Sequence, residues 1–141
     1  MSDILKMQIL SRPENEAFAR AAVAAFITRI NPTLEEINDI KTAVSEAVTN
    51  AVVHGYDSED GIIALEIQIE EKTVSITVQD YGVGIDNVEQ AREPLFTTKP
   101  EEERSGMGFT FMEIFMDKLT VESSSGKGTI VHMSKSIKGG K

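Results

Sequence analysis

A chain of 141 residues with 23 acidic and 14 basic side chains, formal net charge −9, is sized for one domain and would repel duplex nucleic acid. Its 40% hydrophobic and 26% charged residues are those of an ordinary globular protein, and the lack of cysteine excludes disulfides and thiolate metal sites. His54 and His132 have no ligand-spaced neighbour, which argues against structural zinc. Met1-Ser2-Asp3-Ile4 has neither the basic flank nor the apolar core of a signal peptide, and the longest apolar stretch, Ala21 to Ile27, is too short to span a bilayer. A cytoplasmic domain is expected, with no membrane contact and no direct nucleic-acid contact.

Taken in chain order, Ile4, Met7, Ile9 and Leu10 form an imperfectly alternating first strand. Ser11-Arg12-Pro13-Glu14 has the spacing of a helix start, with Ser11 as cap and Glu14 reaching back. The helix is expected to present Ala17, Phe18, Ala21, Ala22, Ala25 and Phe26 on one face and to end before Asn31-Pro32. Thr33-Leu34-Glu35-Glu36 is a second capping box, opening a helix whose apolar positions Ile37, Ile40, Val44, Ala47, Val48 and Ala51 recur at three and four. Ile63, Leu65, Ile67 and Ile69, then Val74, Ile76 and Val78, alternate with polar residues and predict a hairpin turning at Glu71-Lys72.

From Tyr81 to Gly106 the sequence is polar, as a functional loop would be. Met107 to Met116 reads as a third helix, and Leu119 to Glu122 with Thr129 to Met133 as a closing hairpin around Ser125-Gly126-Lys127-Gly128. The expected architecture is an α+β two-layer sandwich: a mixed, largely antiparallel sheet of about five strands, covered on one face by three helices. One domain spans residues 1–136, and 137–141, ending Gly139-Gly140-Lys141, reads as a flexible tail.

Three short strings carry chemistry. Glu46 and Asn50 lie one turn apart on the second helix, beside its apolar stripe, and His54 continues the row. Such a pair alone reads equally as a solvated polar edge. Asp80-Tyr81-Gly82-Val83-Gly84 follows a strand; its glycines allow a sharp turn and close approach to a flat ligand, while Asp80 can accept from an amino group. By itself this string is also a plain tight turn. Ser105-Gly106-Met107-Gly108 precedes a helix and would expose backbone N–H groups to an anion, or merely cap that helix. No Walker A loop occurs, because Gly126-Lys127-Gly128-Thr129 breaks its pattern.

Together, in this order, the strings resemble the ATP-binding fold of gyrase, the Hsp90 chaperone, bacterial histidine kinases and MutL, the GHKL superfamily (Bergerat fold). Glu46-x-x-x-Asn50 looks like its N box, Asp80-x-Gly82-x-Gly84 its first glycine box and Gly106-x-Gly108 its second, with an ATP lid between. The run Glu46-Ala47-Val48-Thr49-Asn50-Ala51-Val52-Val53-His54-Gly55-Tyr56 is similar to that of the stand-alone serine kinases acting as bacterial anti-sigma factors, those of sporulation sigma-F above all.

The resemblance implies ATP and Mg²⁺ as cofactors, Asn50 as the metal ligand and Glu46 as general base. It also implies Asp80, Gly84 and Thr129 at adenine, with Arg104, Ser105, Gly106, Met107 and Gly108 around the phosphates. Gly82 and His54 complete the expected nucleotide site. Lys99 and Arg104 are cations of the lid region, with two readings open: phosphate ligands, or charges that simply offset neighbouring glutamates. The implied partners are an anti-anti-sigma substrate protein phosphorylated on serine or threonine, a sigma factor that is bound and inhibited, and a second copy of the chain. Arg20 is a candidate partner contact, with an ion pair to Glu16 as the alternative. Two rivals remain: an ATP-regulated sigma-binding module without kinase activity, and an ATPase clamp. The clamp would need a transducer domain and a dimer-closing arm, for which this length leaves no room.

Overall fold

The computed structural model describes residues 1–55, 60–84, 88, 92 and 108–140, with the side chains of His54 and Gly55 excepted. Five strands, β1 (Ser2–Leu10), β2 (Ile62–Glu70), β3 (Thr73–Asp80), β4 (Lys118–Ser124) and β5 (Gly128–Ser136), form one sheet in the order β1-β2-β3-β5-β4. All four pairings are antiparallel. Helices α1 (Glu14–Ile27), α2 (Leu34–Asn50) and α3 (Gly108–Phe115) form the second layer, with α2 packed against both α1 and α3. The expected α+β sandwich is the architecture observed.

Period-two alternation fixes which sheet face is covered. Ile63, Leu65, Ile67 and Ile69 on β2, Val74, Ile76 and Val78 on β3, and Val131 and Met133 on β5 are all buried. They meet Val23 and Ile27 of α1, Ile40, Val44, Ala47 and Val48 of α2, and Met112 of α3 in one core. Each large aliphatic group buried there contributes about 1.5–3 kcal/mol relative to exposure. The β2–β3 turn falls at Glu71-Lys72 as expected, with Glu71 at φ 54°.

The capping box at α2 is complete. Glu36 N donates to Thr33 Oγ1 at 3.1 Å, and Thr33 N donates to Glu36 Oε1 at 2.9 Å. At α1 the expected cap is replaced. The N-cap position is Pro13, without a side-chain cap, and Ser11 is buried, its Oγ accepting from Gly61 N at 3.1 Å. Ser11 therefore ties the end of β1 to the start of β2 instead of starting the helix.

The buried face of α1 also differs from expectation. Ala19, Val23, Phe26 and Ile27 point inward, whereas Ala17, Phe18, Ala21 and Ala25 are exposed. Alanines surround this helix, so their spacing carries little information, and burial of the larger Val23 and Ile27 decides the rotation.

Residues 137–140 are docked, not a free tail. Ile137 is buried and its N–H donates to Lys72 O at 2.7 Å; Gly140 N donates to Asn31 O at 3.0 Å. Glu36 accepts from Lys138 N at 2.7 Å and from Gly139 N at 3.1 Å. One carboxylate thus caps α2 and clamps the last strand's extension. Desolvation raises its pKa, but the N–H donors of Thr33, Lys138 and Gly139 and the Thr33 hydroxyl outweigh it and hold Glu36 below the usual glutamate value.

Because the folded value is the lower one, this stabilisation is present above the unfolded pKa and is lost as pH falls through the folded value. Glu36→Ala should cost about 1–2 kcal/mol at neutral pH, the range of a lost cap. Urea titrations should show that difference shrinking toward zero in acid; a difference independent of pH would count against the clamp.

Candidate functional site

The site is built where α2 ends over the sheet. After Asn50 the helix widens into a π-helical turn, Ala51–Gly55, whose backbone lies against β3 and β5. Such turns interrupt the regular ladder and frequently mark functional positions. Glu46 and Asn50 are half-buried on the last turns of α2, one turn apart. The apolar stripe Ala43, Ala47, Val48 and Ala51 fixes the helix rotation, which leaves Glu46 and Asn50 at the border between core and surface.

Below, one row of residues crosses three strands. Asp80 on β3 pairs with Thr129 on β5, and Thr129 pairs with Ser123 on β4. Asp80 and Thr129 are the polar exceptions on a buried face, 3% and 4% exposed. Buried polar groups persist where they are hydrogen-bonded, and these are. Asp80 Oδ1 accepts from Gly82 N at 3.0 Å, and its carboxylate also accepts from the Thr129 backbone N–H. Thr129 Oγ1 and Ser123 Oγ are 2.8 Å apart. Burial pushes the Asp80 carboxyl above its usual range, opposed in part by those two N–H donors.

Two glycines let the loops close on this row. Gly84 has φ 78°, and a Cβ there would lie 2.0 Å from Ser124 O; Gly128 has φ 86°, and a Cβ would lie 2.2 Å from Asp80 O. The β4–β5 turn is joined to the glycine loop by Gly126 N donating to Val83 O at 2.6 Å.

Of the sequence-predicted residues, Glu46 and Asn50 lie on α2, and Asp80, Gly82, Gly84 and Thr129 gather at the ends of β3 and β5. Gly108 opens α3. Lys99, Arg104, Ser105, Gly106 and Met107 lie outside the described residues, as does the side chain of His54, whose backbone belongs to the π turn. Ser123 and Gly128 were not singled out by sequence reading. The hairpin register would have found Ser123, since a turn closed by Ser124 and Gly128 places it opposite Thr129. Arg20 is half-exposed on α1, with Nη1 3.6 Å from the Glu16 carboxylate.

The profile of the histidine kinase-like ATPase domain matches residues 9–135. The anti-sigma F factor of Clostridium novyi is 57% identical over 135 residues, 95% of this chain and 94% of that one. The chain belongs to the histidine kinase-like ATPase family, in its anti-sigma F branch. The anti-sigma F factor of Geobacillus kaustophilus is also similar, 54% identical over 97% of this chain and 94% of that one.

The solved RsbU and RsbW domains of a Mycobacterium tuberculosis protein share the fold, with TM-score 0.70 at 19% identity over 96% of this chain. This chain spans 32% of the length of that one. Family membership implies ATP binding, and the acceptor row at Asp80 is chemically suited to an amino-bearing base. Among the described residues, no helix is long and apolar enough to cross a membrane.

Proposed function

We propose that this protein is an ATP-dependent serine/threonine kinase that phosphorylates an anti-anti-sigma protein and separately binds and inhibits a sigma factor, the sporulation sigma-F, in the cytoplasm. The observation that carries the reading is the π turn that continues α2, the helix of Glu46 and Asn50, and lies against β3 and β5, the strands of Asp80 and Thr129. The names carried by the similar chains support the sigma-factor side.

Asp80 accepts from the adenine amino group, and Thr129 completes that contact. Gly82 N–H holds the carboxylate in place, while Gly84 permits approach of the base edge. Asn50 offers a neutral oxygen of the hard type that Mg²⁺ accepts, in the binding mode where phosphates and water supply the other ligands. Bound there, the ion would neutralise charge on the phosphate oxygens during transfer. Glu46 takes the proton as the seryl or threonyl oxygen bonds to the γ-phosphorus and the bond to the ADP oxygen breaks.

We assign Arg104, Ser105, Gly106, Met107 and Gly108 to the phosphates, with His54 and Lys99 as further nucleotide-binding residues. A homodimer is the proposed working unit, and β1, an edge strand with exposed Ile4 and Lys6, is available for contact.

Incubation with γ-labelled ATP, with and without an anti-anti-sigma protein and a sigma factor, tests the reading. Label on the antagonist supports it. Nucleotide-dependent sigma binding with no label indicates a binding module, and free phosphate alone indicates an ATPase clamp.

Arg20 is the proposed protein contact, because its pairing with Glu16 leaves the guanidinium half-exposed on the side of α1 opposite Phe18 and Phe26. Arg20→Ala should weaken sigma-factor or antagonist binding about tenfold, an effect near that of one charge-assisted hydrogen bond, and leave ATP affinity unchanged. Equal affinity for both partners would remove Arg20 from the interface.

A further inference from the structure

The outer sheet face, the alanine face of α1 and the Glu36 clamp are each well formed, but the polar row at the nucleotide pocket extends furthest, to a residue beyond the family's motif strings. We infer that Ser123 is a specificity-determining positioning residue: it fixes the proton of the Thr129 hydroxyl so that the pocket presents only acceptors to the base. The inference rests on the proposed adenine site and concerns how that site distinguishes a 6-amino from a 6-oxo purine.

A serine hydroxyl has one hydrogen and two lone pairs. Ser123 Oγ donates its hydrogen to the carbonyl of Gly128 at 2.9 Å. With the serine hydrogen on the Gly128 carbonyl, we assign the hydrogen of the 2.8 Å contact between Ser123 Oγ and Thr129 Oγ1 to Thr129. With that hydrogen directed along the sheet toward β4, what Thr129 can offer a ligand is lone pairs. Its neighbour in the row, Asp80, is also an acceptor, already receiving N–H groups from Gly82 and Thr129 and retaining capacity for more.

Two adjacent acceptors suit an amino group, or a water that donates to them while accepting from it. They oppose a carbonyl oxygen, which would face lone pairs with no proton between. The backbone sets the donor order as well. Gly128 sits at φ 86° against the Asp80 carbonyl, where only glycine fits, and that close approach brings its own carbonyl to Ser123.

Removing the serine hydroxyl frees the Thr129 hydrogen, which can then rotate toward the pocket and meet a 6-oxo group. Titration of the full-length protein with ATP and with ITP, in the presence of Mg²⁺, measures this as the ratio of the two Kd values. Wild type should prefer ATP. Ser123→Ala should lower the preference about tenfold, mainly by improving ITP binding, while Ser123→Thr, which keeps the hydroxyl on a strand, should restore it.

An unchanged ratio in a Ser123→Ala protein that melts as wild type does would overturn the inference, as would equal weakening of both nucleotides, the mark of a merely structural serine. Wild type that binds neither nucleotide would instead bring down the adenine site itself, and this inference with it.

Discussion

Glu46→Gln is expected to bind Mg·ATP and sigma factor as wild type does, yet to transfer phosphate to its substrate about 10²–10⁴-fold more slowly. The change is nearly isosteric and keeps hydrogen-bonding reach from a half-buried position on α2, but the amide cannot take up the hydroxyl proton. The substitution leaves the stripe Ala43, Ala47, Val48 and Ala51 untouched, so helix rotation and the neighbouring Asn50 stay in place.

Asn50→Ala provides the contrast, losing the Mg²⁺-dependent part of ATP binding along with transfer. Single-turnover transfer and equilibrium nucleotide binding, measured separately, distinguish the two roles. Normal transfer by Glu46→Gln would show that Glu46 is not the base. Loss of ATP binding as complete as in Asn50→Ala would place Glu46 at the metal.

Asp80→Asn should weaken ATP binding by about 1.5–3 kcal/mol, roughly 10–150-fold in Kd, because half of the carboxylate becomes a donor facing the adenine amino group. Folding should be affected far less. The Asn oxygen can still accept from Gly82 N, and the substitution removes a carboxylate that burial disfavours. Since the folded pKa of Asp80 is raised, the stability it contributes is present below the unfolded pKa and lost as pH rises through the folded value. Wherever Asp80 is ionised, burial makes its charge costly, a cost that asparagine does not carry.

ATP affinity of the wild type should accordingly fall as acid protonates Asp80, beginning at higher pH than for an ordinary aspartate, and this dependence should vanish in Asp80→Asn. Calorimetry across pH checks both statements. A folded Asp80→Asn protein with wild-type affinity would take Asp80 out of the site.

Much of this was legible in the chain because local signals and long-range packing agree. The Thr33–Glu36 capping box, the alternation of Ile63 to Ile69 and of Val74 to Val78, and the turn at Glu71-Lys72 each demand a structure that the core also rewards. The places of Glu46, Asn50, Asp80, Gly82 and Gly84 in the fold were legible for the same reason, each on a well-signalled element or directly after one.

Three features were not legible. The rotation of α1 is hidden by alanines on every side, so only packing against Val23 and Ile27 fixes it. Ser11 has the sequence of a cap but is held by Gly61, a partner brought close only by strand pairing. Lys138-Gly139-Gly140 reads as a loose end, yet its backbone is held by Glu36 and Asn31, more than a hundred residues earlier. The hydroxyl pair of Ser123 and Thr129 is an intermediate case, legible only through the hairpin register that sets the two residues opposite each other.

The most direct test of the adenine site is a structure of the protein with Mg²⁺ and a non-hydrolysable ATP analogue. The base should lie beneath the π turn, its 6-amino group within hydrogen-bonding distance of the Asp80 carboxylate and bonded to Thr129 directly or through one water. Asn50 should face the metal and phosphates, and Glu46 should stand clear for an incoming hydroxyl. An analogue bound anywhere that leaves Asp80 uncontacted, or with a base edge offering it no donor, would contradict the account.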